Sequence, residues 1–340
     1  MLQHCSITAS RTNRLQAQTM TTTNQALILT AQAAPVLPAL IADAGGKASY
    51  SYIEFFTANI ENDNTRAAYA LAVRQFFAWC EAHKLTLQSL NPVIIATYFK
   101  QHPSSTPTKK QHLAALRSLF DYLVTAQVLP FNPAASVRGP RYSIEKGKTP
   151  VLSAQDARAL LDSIPTDTPL GLRDRALIGL MVYSFARVSA AVKMRVADYY
   201  PNGKRYWIRL HEKGGKEHTL PAHHNAEAYL DAYLDATGIV TEKHTPLFRS
   251  IQGRPGRVTE NGLDRQAVYA MIRRRAKAAK INAGICCHTF RATGITTYLI
   301  NGGTLEGAQD IAAHASVKTT KLYDRRKDAI SLDEIERILI

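Results

Sequence analysis

Ala312-Ala313-His314-Ala315-Ser316-Val317-Lys318-Thr319-Thr320-Lys321-Leu322-Tyr323 is the stretch on which the reading of this chain turns. It sets a histidine nine residues before a tyrosine, with two lysines between them. Upstream, Cys287-His288-Thr289-Phe290-Arg291 puts a histidine three residues before an arginine, on one face if the segment is helical. Earlier still, Glu212-Lys213-Gly214-Gly215-Lys216 holds two lysines in a glycine turn. Arg173-Asp174-Arg175-Ala176-Leu177-Ile178-Gly179-Leu180 is followed by Ser184-Phe185-Ala186-Arg187-Val188-Ser189. Each segment alone is ordinary: a surface arginine, a solvated lysine, a tyrosine packed beside a leucine. Their order along one chain is what needs an explanation.

The surrounding chain narrows it. There are 340 residues, 46% hydrophobic and 20% charged, a globular composition with room for two domains. Lys and Arg outnumber Asp and Glu by 42 to 27, a net charge of +15. Residues 1–46, 47–148 and 149–340 carry +1, +6 and +8, so the excess lies on the folded body and points to a polyanion, nucleic acid first. Four cysteines in a chain of this length do not make a disulfide framework and suit a reducing cytoplasm. The most apolar window, residues 26–42, is interrupted by Thr30, Gln32, Pro35 and Pro38, so no membrane span is expected. Cys286-Cys287 and His223-His224 lack metal-ligand spacing, and Gly214-Gly215-Lys216 lacks the pattern of a phosphate-binding loop.

Periodicity divides the chain. Residues 1–46 read as a loose extension, with Met20 an alternative start. Residues 47–131 read as a helical domain. Asp63 or Asn64 caps a helix with Tyr69, Val73, Phe76, Phe77 and Cys80 inward. A second helix, from about Pro107 to Ala126, turns Leu113, Leu116, Phe120 and Leu123 inward, with Lys110 and Arg117 on a common face. Residues 132–150, rich in Pro, Gly, Arg and Lys, read as a basic linker that includes Arg141. The next domain, 151–329, opens on Ser153 and Asp156, a capping-box start, and reads as helical to about Met194. Alternation over Tyr206–His211, the Gly214-Gly215 turn and residues 218–220 predict one β-hairpin, after which the chain reads as helical to its end. Residues 330–340 predict a short amphipathic helix, capped by Ser331 and Glu334 and suited to docking on a neighbouring subunit.

Together these segments resemble the tyrosine recombinase (phage integrase) family, Xer-like site-specific recombinases among them. Arg173–Ser189 is similar to its first arginine box, Glu212–Lys216 to its hairpin lysine motif, Cys287–Arg291 to its His-x-x-Arg box, and Ala312–Tyr323 to its final box. Asn64-Thr65-Arg66-Ala67-Ala68-Tyr69 resembles its core-binding domain. The resemblance covers residues 47–340. It implies a mainly α protein with a small antiparallel β-sheet: a DNA clamp of two domains, a helical, SAM-like core-binding domain and a catalytic domain. It implies strand cutting and rejoining through a 3′-phosphotyrosyl link, for DNA integration, excision or resolution. The partners implied are double-stranded DNA with inverted half-sites, a homo-tetramer on paired sites, and an accessory DNA-bending protein or partner recombinase. Type IB topoisomerase-like relaxation and a non-cutting DNA-binding protein of the same fold are the alternatives. The family commonly carries a carboxylate three residues after its first arginine, where this chain has Ala190.

The chemistry asks for these residue types. Attack on a phosphodiester loads charge onto its non-bridging oxygens, and guanidinium forks hold such oxygens while staying charged. Arg187 and Arg291 are the candidates. A phenol of pKa near 10 needs help to act as a nucleophile, the role of Tyr323. Lys213 is the candidate acid for the leaving 5′ oxygen, with Lys216 a phosphate contact. His288 shares the phosphate or relays a proton, and His314 hydrogen-bonds a phosphate oxygen. No metal or other cofactor is needed, because the phosphotyrosyl bond conserves the energy of the broken phosphodiester. Arg66, Lys110, Arg117, Arg141, Lys216, Arg273 and Arg274 are the candidate DNA-backbone contacts.

Overall fold

Aromatic residues at helical spacing build the first half of the molecule. A computed structural model of the chain describes residues 37–142, 147–212, 214–253, 256–281 and 284–325. The chain divides into two compact units between residues 143 and 144. The first unit contains α1 (Ala39–Ala42), α2 (Gly46–Thr57), α3 (Asp63–Ala82), α4 (Pro92–Gln101) and α5 (Thr106–Thr125). Phe55, Phe56, Val73, Phe76, Phe77, Leu116 and Phe120 are fully buried in one core. Phe76 is its hub, with ring contacts to Phe77, Tyr98 and Phe120 at 5.1–6.1 Å.

Three expectations are corrected here. The cap of α3 is Asn62, whose side chain accepts the Thr65 N–H at 3.1 Å. Asp63 instead lies in the first turn, where an acidic side chain suits the helix dipole. Residues 1–46 are not all extension, since Leu40 and Ile41 are buried in the helical core. Nor is the whole of 132–150 a linker. Ala134 and Val137 are core residues, and the Asn132 amide donates to Asp121 and to the Arg117 carbonyl. Proline and arginine make that segment look solvated, but its small apolar residues close the end of α5.

The second unit is built on α7 (Pro169–Tyr183), whose apolar C-terminal half is buried from Ala176 to Met181. Around it lie α6 (Ala154–Asp162), α8 (Val188–Ala191) and a sheet of β1 (Tyr199–Asn202), β2 (Arg205–His211) and β3 (Glu217–Pro221). There follow α9 (His224–Thr237), a β4 (Arg249–Gln252) and β5 (Arg257–Gly262) hairpin, α10 (Arg265–Ala278), α11 (Cys287–Ile300), α12 (Leu305–Ile311) and α13 (Val317–Lys321). The sheet is antiparallel in the order β1-β2-β3, with Ile208 opposite both Tyr199 and Leu220. The predicted alternation holds, with Ile208, Leu210 and Leu220 turned into the core. Gly214 and Gly215 are both left-handed (φ 79° and 74°), the conformation that lets β2 fold back on β3.

The expected start of this unit is present: Ser153 Oγ accepts the Asp156 N–H at 2.9 Å. The helical reading to about Met194 holds only in part: the chain leaves helix between Asp162 and Pro169, and again at Ser184 before a left-handed turn at Phe185 (φ 52°). The expectation of helix alone after β3 is also wrong. The β4–β5 hairpin is too short and polar to show alternation, and β1 ends in Pro201-Asn202, a turn-like pair tolerated on an edge strand. Among the described residues no helix is long and apolar enough to cross a membrane. Lys213 and the amphipathic segment 330–340 lie outside the described residues.

Candidate active site

Arg291 is the centre of the site and is only 1% exposed. It projects from the second turn of α11, whose packing against the end of α7 is close. A Cβ on Gly294 would sit 2.1 Å from the Val182 carbonyl, so only glycine fits there. Two backbone carbonyls fix the guanidinium: Nη1 donates to Phe185 O, and Nη2 to Ala312 O at 2.5 Å. Each carbonyl adjoins a left-handed non-glycine residue, Phe185 itself (φ 52°) and Ala313 (φ 47°). Such a conformation costs about 1 kcal/mol or more per residue, so the fold accepts local strain on both sides of this arginine. Burial, and then the charge of Arg187, push Arg291 down to about 10, which still leaves it charged at neutral pH. Among the described residues its buried Nε has no hydrogen-bond partner.

Tyr323 follows α13 and is 8% exposed. Its carbonyl accepts from Thr296 Oγ1 on α11 at 2.9 Å, and its N–H donates to Thr320 O at 2.9 Å. The preceding carbonyl, of Leu322, accepts the Gly147 N–H at 3.2 Å. The tyrosine is thereby tied to its own catalytic unit from both sides. Its hydroxyl lies 2.7 Å from His288 Nε2. Burial raises the phenol pKa, while Arg291 and Arg187 pull it back down. His288 keeps an exposed edge, and its pKa is lowered by burial of the rest of the ring and by the two arginines. The ring is therefore neutral at pH 7 and can accept the phenol proton.

His314 lies parallel to the Tyr323 ring, 5.8 Å between centroids, and its Nδ1 is 3.0 Å from Thr320 Oγ1. Burial first, then Arg291, push its pKa down to about 3. Its Nε2 has no protein partner among the described residues. Arg187 completes the group from the N-terminus of α8, and Glu212 Oε2 accepts from its Nη1 at 2.5 Å. The structure thus brings Arg187, His288, Arg291, His314 and Tyr323 together from three segments of the sequence.

The candidate DNA contacts divide. Lys110, Arg141, Lys216 and Arg273 are exposed. Arg274 is exposed yet pairs with Asp174 at 3.1 Å, a buried carboxylate that also holds Arg173 and Arg275. Arg66 and Arg117 need correction. The Arg66 guanidinium donates to Ile60 O and pairs with Asp63 at 2.7 Å. Arg117 donates to Ala134 O at 3.1 Å and Val137 O at 2.5 Å, so it does not share an outward face with Lys110. Free carbonyls beyond the helix ends offered these arginines acceptors that the sequence did not reveal. Sequence reading also passed over Asp174, Glu212 and the two threonines that hold the tyrosine and His314. Glu212 had one pointer, its place beside Lys213 in the hairpin motif.

Comparison with known proteins places this geometry. Residues 150–329 match the phage integrase family. The chain is 29% identical over 269 residues to the tyrosine recombinase XerD of Listeria monocytogenes serotype 4b (strain F2365), covering 76% of this chain and 87% of the relative. It is 30% identical over 211 residues to the tyrosine recombinase XerC of Escherichia coli O127:H6 (strain E2348/69 / EPEC), covering 62% and 67%. In fold it is similar to the XerH site-specific recombinase in a post-cleavage complex with palindromic difH substrate (TM-score 0.68, 20% identity, 87% and 86% covered). It is likewise similar to a lambda integrase dimer bound to a COC' core site (TM-score 0.63, 16% identity, 94% and 89% covered). The match spans more than half of the chain and contains every residue of the site, so the chain belongs to the phage integrase family of tyrosine recombinases.

Proposed function

We propose that this recombinase cuts and rejoins DNA with Tyr323 as its nucleophile. The observation that carries the assignment is the Tyr323 hydroxyl, 2.7 Å from a histidine that is neutral at pH 7 and beside a buried, charged arginine. His288 accepts the phenol proton as the oxygen attacks phosphorus. Arg291 and Arg187 hold the charge gathering on the non-bridging oxygens, and His314 Nε2 offers one further hydrogen bond. The 5′ oxygen leaves with a proton, for which Lys213 is the candidate donor, and a 3′-phosphotyrosyl link remains. Attack on that link by the hydroxyl of a partner strand completes the exchange. The substrate is duplex DNA with inverted half-sites, assembled as a tetramer on paired sites, with the tail at 330–340 docking on a neighbouring protomer. Both units are basic, which supports a phosphate-backbone partner.

A suicide substrate nicked beside the cut site tests this. Wild-type protein gives a protease-sensitive covalent adduct on a denaturing gel. Tyr323→Phe removes one oxygen and little else, so it keeps DNA retardation on a native gel while adduct falls by at least about 10³-fold, the scale of deleting a covalent nucleophile. An adduct that survives in Tyr323→Phe overturns the assignment. A supercoil-relaxation assay beside a two-site exchange assay separates recombination from relaxation alone.

A further inference from the structure

We propose that Glu212 is a positioning residue, a carboxylate on the β2–β3 hairpin that holds Arg187 in the geometry phosphate binding needs. The inference rests on the reading of Arg187 as a phosphate-binding group. Glu212 Oε2 accepts from Arg187 Nη1 at 2.5 Å, and the pair is lopsided in burial. The arginine side chain is 36% exposed and the glutamate side chain 7%. A carboxylate that merely mimicked a phosphate would occupy the open side of the guanidinium and be exposed with it. Glu212 is instead shielded, so it braces the arginine from the protein side. Among the described residues it is the sole acceptor for this guanidinium, so the other N–H groups of the fork remain for an anion.

The source of the carboxylate matters. Ala190, one turn into α8 from Arg187, is buried and has no side-chain oxygen, so Arg187 takes its carboxylate acceptor from another element. Glu212 is in turn fixed by its own backbone, whose N–H donates to Lys216 O at 2.8 Å across the Gly214-Gly215 turn. One hairpin therefore carries Lys213 and the brace of Arg187 together. Arginine on its own is a long side chain with many rotamers, and a buried ionic partner selects one before DNA arrives. An acceptor that orients a ligand-binding group in this way is commonly worth about 10–100-fold in activity.

Two substitutions separate charge from shape. Glu212→Gln keeps the volume and loses the charge, whereas Glu212→Asp keeps the charge at a shorter reach. Single-turnover adduct formation on the suicide substrate gives the rate, native-gel titration gives the DNA affinity, and a thermal melt checks the fold. Positioning by charge predicts that Glu212→Gln forms adduct about 10–100-fold more slowly. Glu212→Asp falls between it and wild type, and both variants keep their affinity and melting temperature. A Glu212→Gln rate equal to wild type overturns the proposal. So does a faster one, which would mark Glu212 as an occupant that phosphate displaces. Greater activity in Glu212→Gln than in Glu212→Asp assigns the residue to packing and also overturns it. Loss of fold in Glu212→Gln with retained fold in Glu212→Asp makes the charge structural and overturns it as well. Wild-type protein that forms no adduct at all defeats the recombinase reading itself, a failure distinct from each of these.

Discussion

The two units bury different things. In the helical unit the described buried polar side chains are Ser51 and His112, set in a core of phenylalanine, tyrosine and leucine. In the catalytic unit Arg173, Asp174, Asp198, Arg249, Arg291, His314 and five Ser or Thr residues are buried. Burying charge is unfavourable unless each group is paired, and here each pairing is specific: Asp174 with three arginines, Arg291 with two carbonyls. The core of the first unit is held mainly by apolar packing, with its arginines bonded to backbone carbonyls nearer the surface. The second uses apolar packing to position charge.

The largest effect that can break this contrast is at Arg291. Arg291→Ala removes the charge that stabilises the reacting phosphate and leaves the Phe185 and Ala312 carbonyls without a donor. Adduct formation is expected to fall by about 10²–10³-fold or more on suicide substrate, with a stability loss of about 3–5 kcal/mol in a denaturant melt. If stability holds while chemistry is lost, the arginine does not organise the core. Phe76→Ala is the counterpart in the other unit. It should cost about 3–5 kcal/mol by cavity formation and weaken DNA retardation, yet adduct formed by the folded, bound fraction should keep its wild-type rate. A chemical defect at saturating DNA would show that the units are not energetically separate.

Arg117→Ala acts on the helical unit at a smaller scale. It strands the Ala134 and Val137 carbonyls, so the expected loss is about 1–3 kcal/mol in stability. The slope of log affinity against log salt should not change. A slope shallower by about one unit would return Arg117 to the DNA contacts.

Acid gives the smallest test. His314 titrates near 3 in the folded protein against about 6.5 in an unfolded chain. Between those values the unfolded chain binds more protons, so stability is complete above about pH 6.5 and declines as pH falls toward 3. His288 and His112 are lowered too and act in the same direction. Melting temperature should drop between pH 7.5 and 5, and His314→Gln should remove more of that slope than His112→Gln. Equal slopes would mean that the catalytic unit keeps its histidine neutral no more firmly than the helical one.

Much of this was legible in the chain. Helix α5 and its inward leucines, the Ser153 cap, the β2–β3 hairpin and the four residues that meet around Tyr323 follow from periodicity, turn chemistry and the order of the boxes. Short polar strands escaped because β4 and β5 show no alternation. The Asn62 cap and the arginine partners escaped because any nearby acceptor serves equally well on paper. Arg66, Arg117 and Lys110 look alike as letters, yet two of them end on backbone oxygens.

Which residue types the chemistry would use was readable from the chain alone, because reactivity belongs to the side chain: a phenol, two guanidiniums and two imidazoles. Tertiary structure decided what each of them does. Burial sets how far the Tyr323 and His314 pKa values move, and left-handed turns at Phe185 and Ala313 aim the carbonyls that hold Arg291. A hairpin remote from Arg187 in sequence supplies the carboxylate that α8 lacks. These are properties of distance and solvent exclusion between segments, which come into being only when the chain folds.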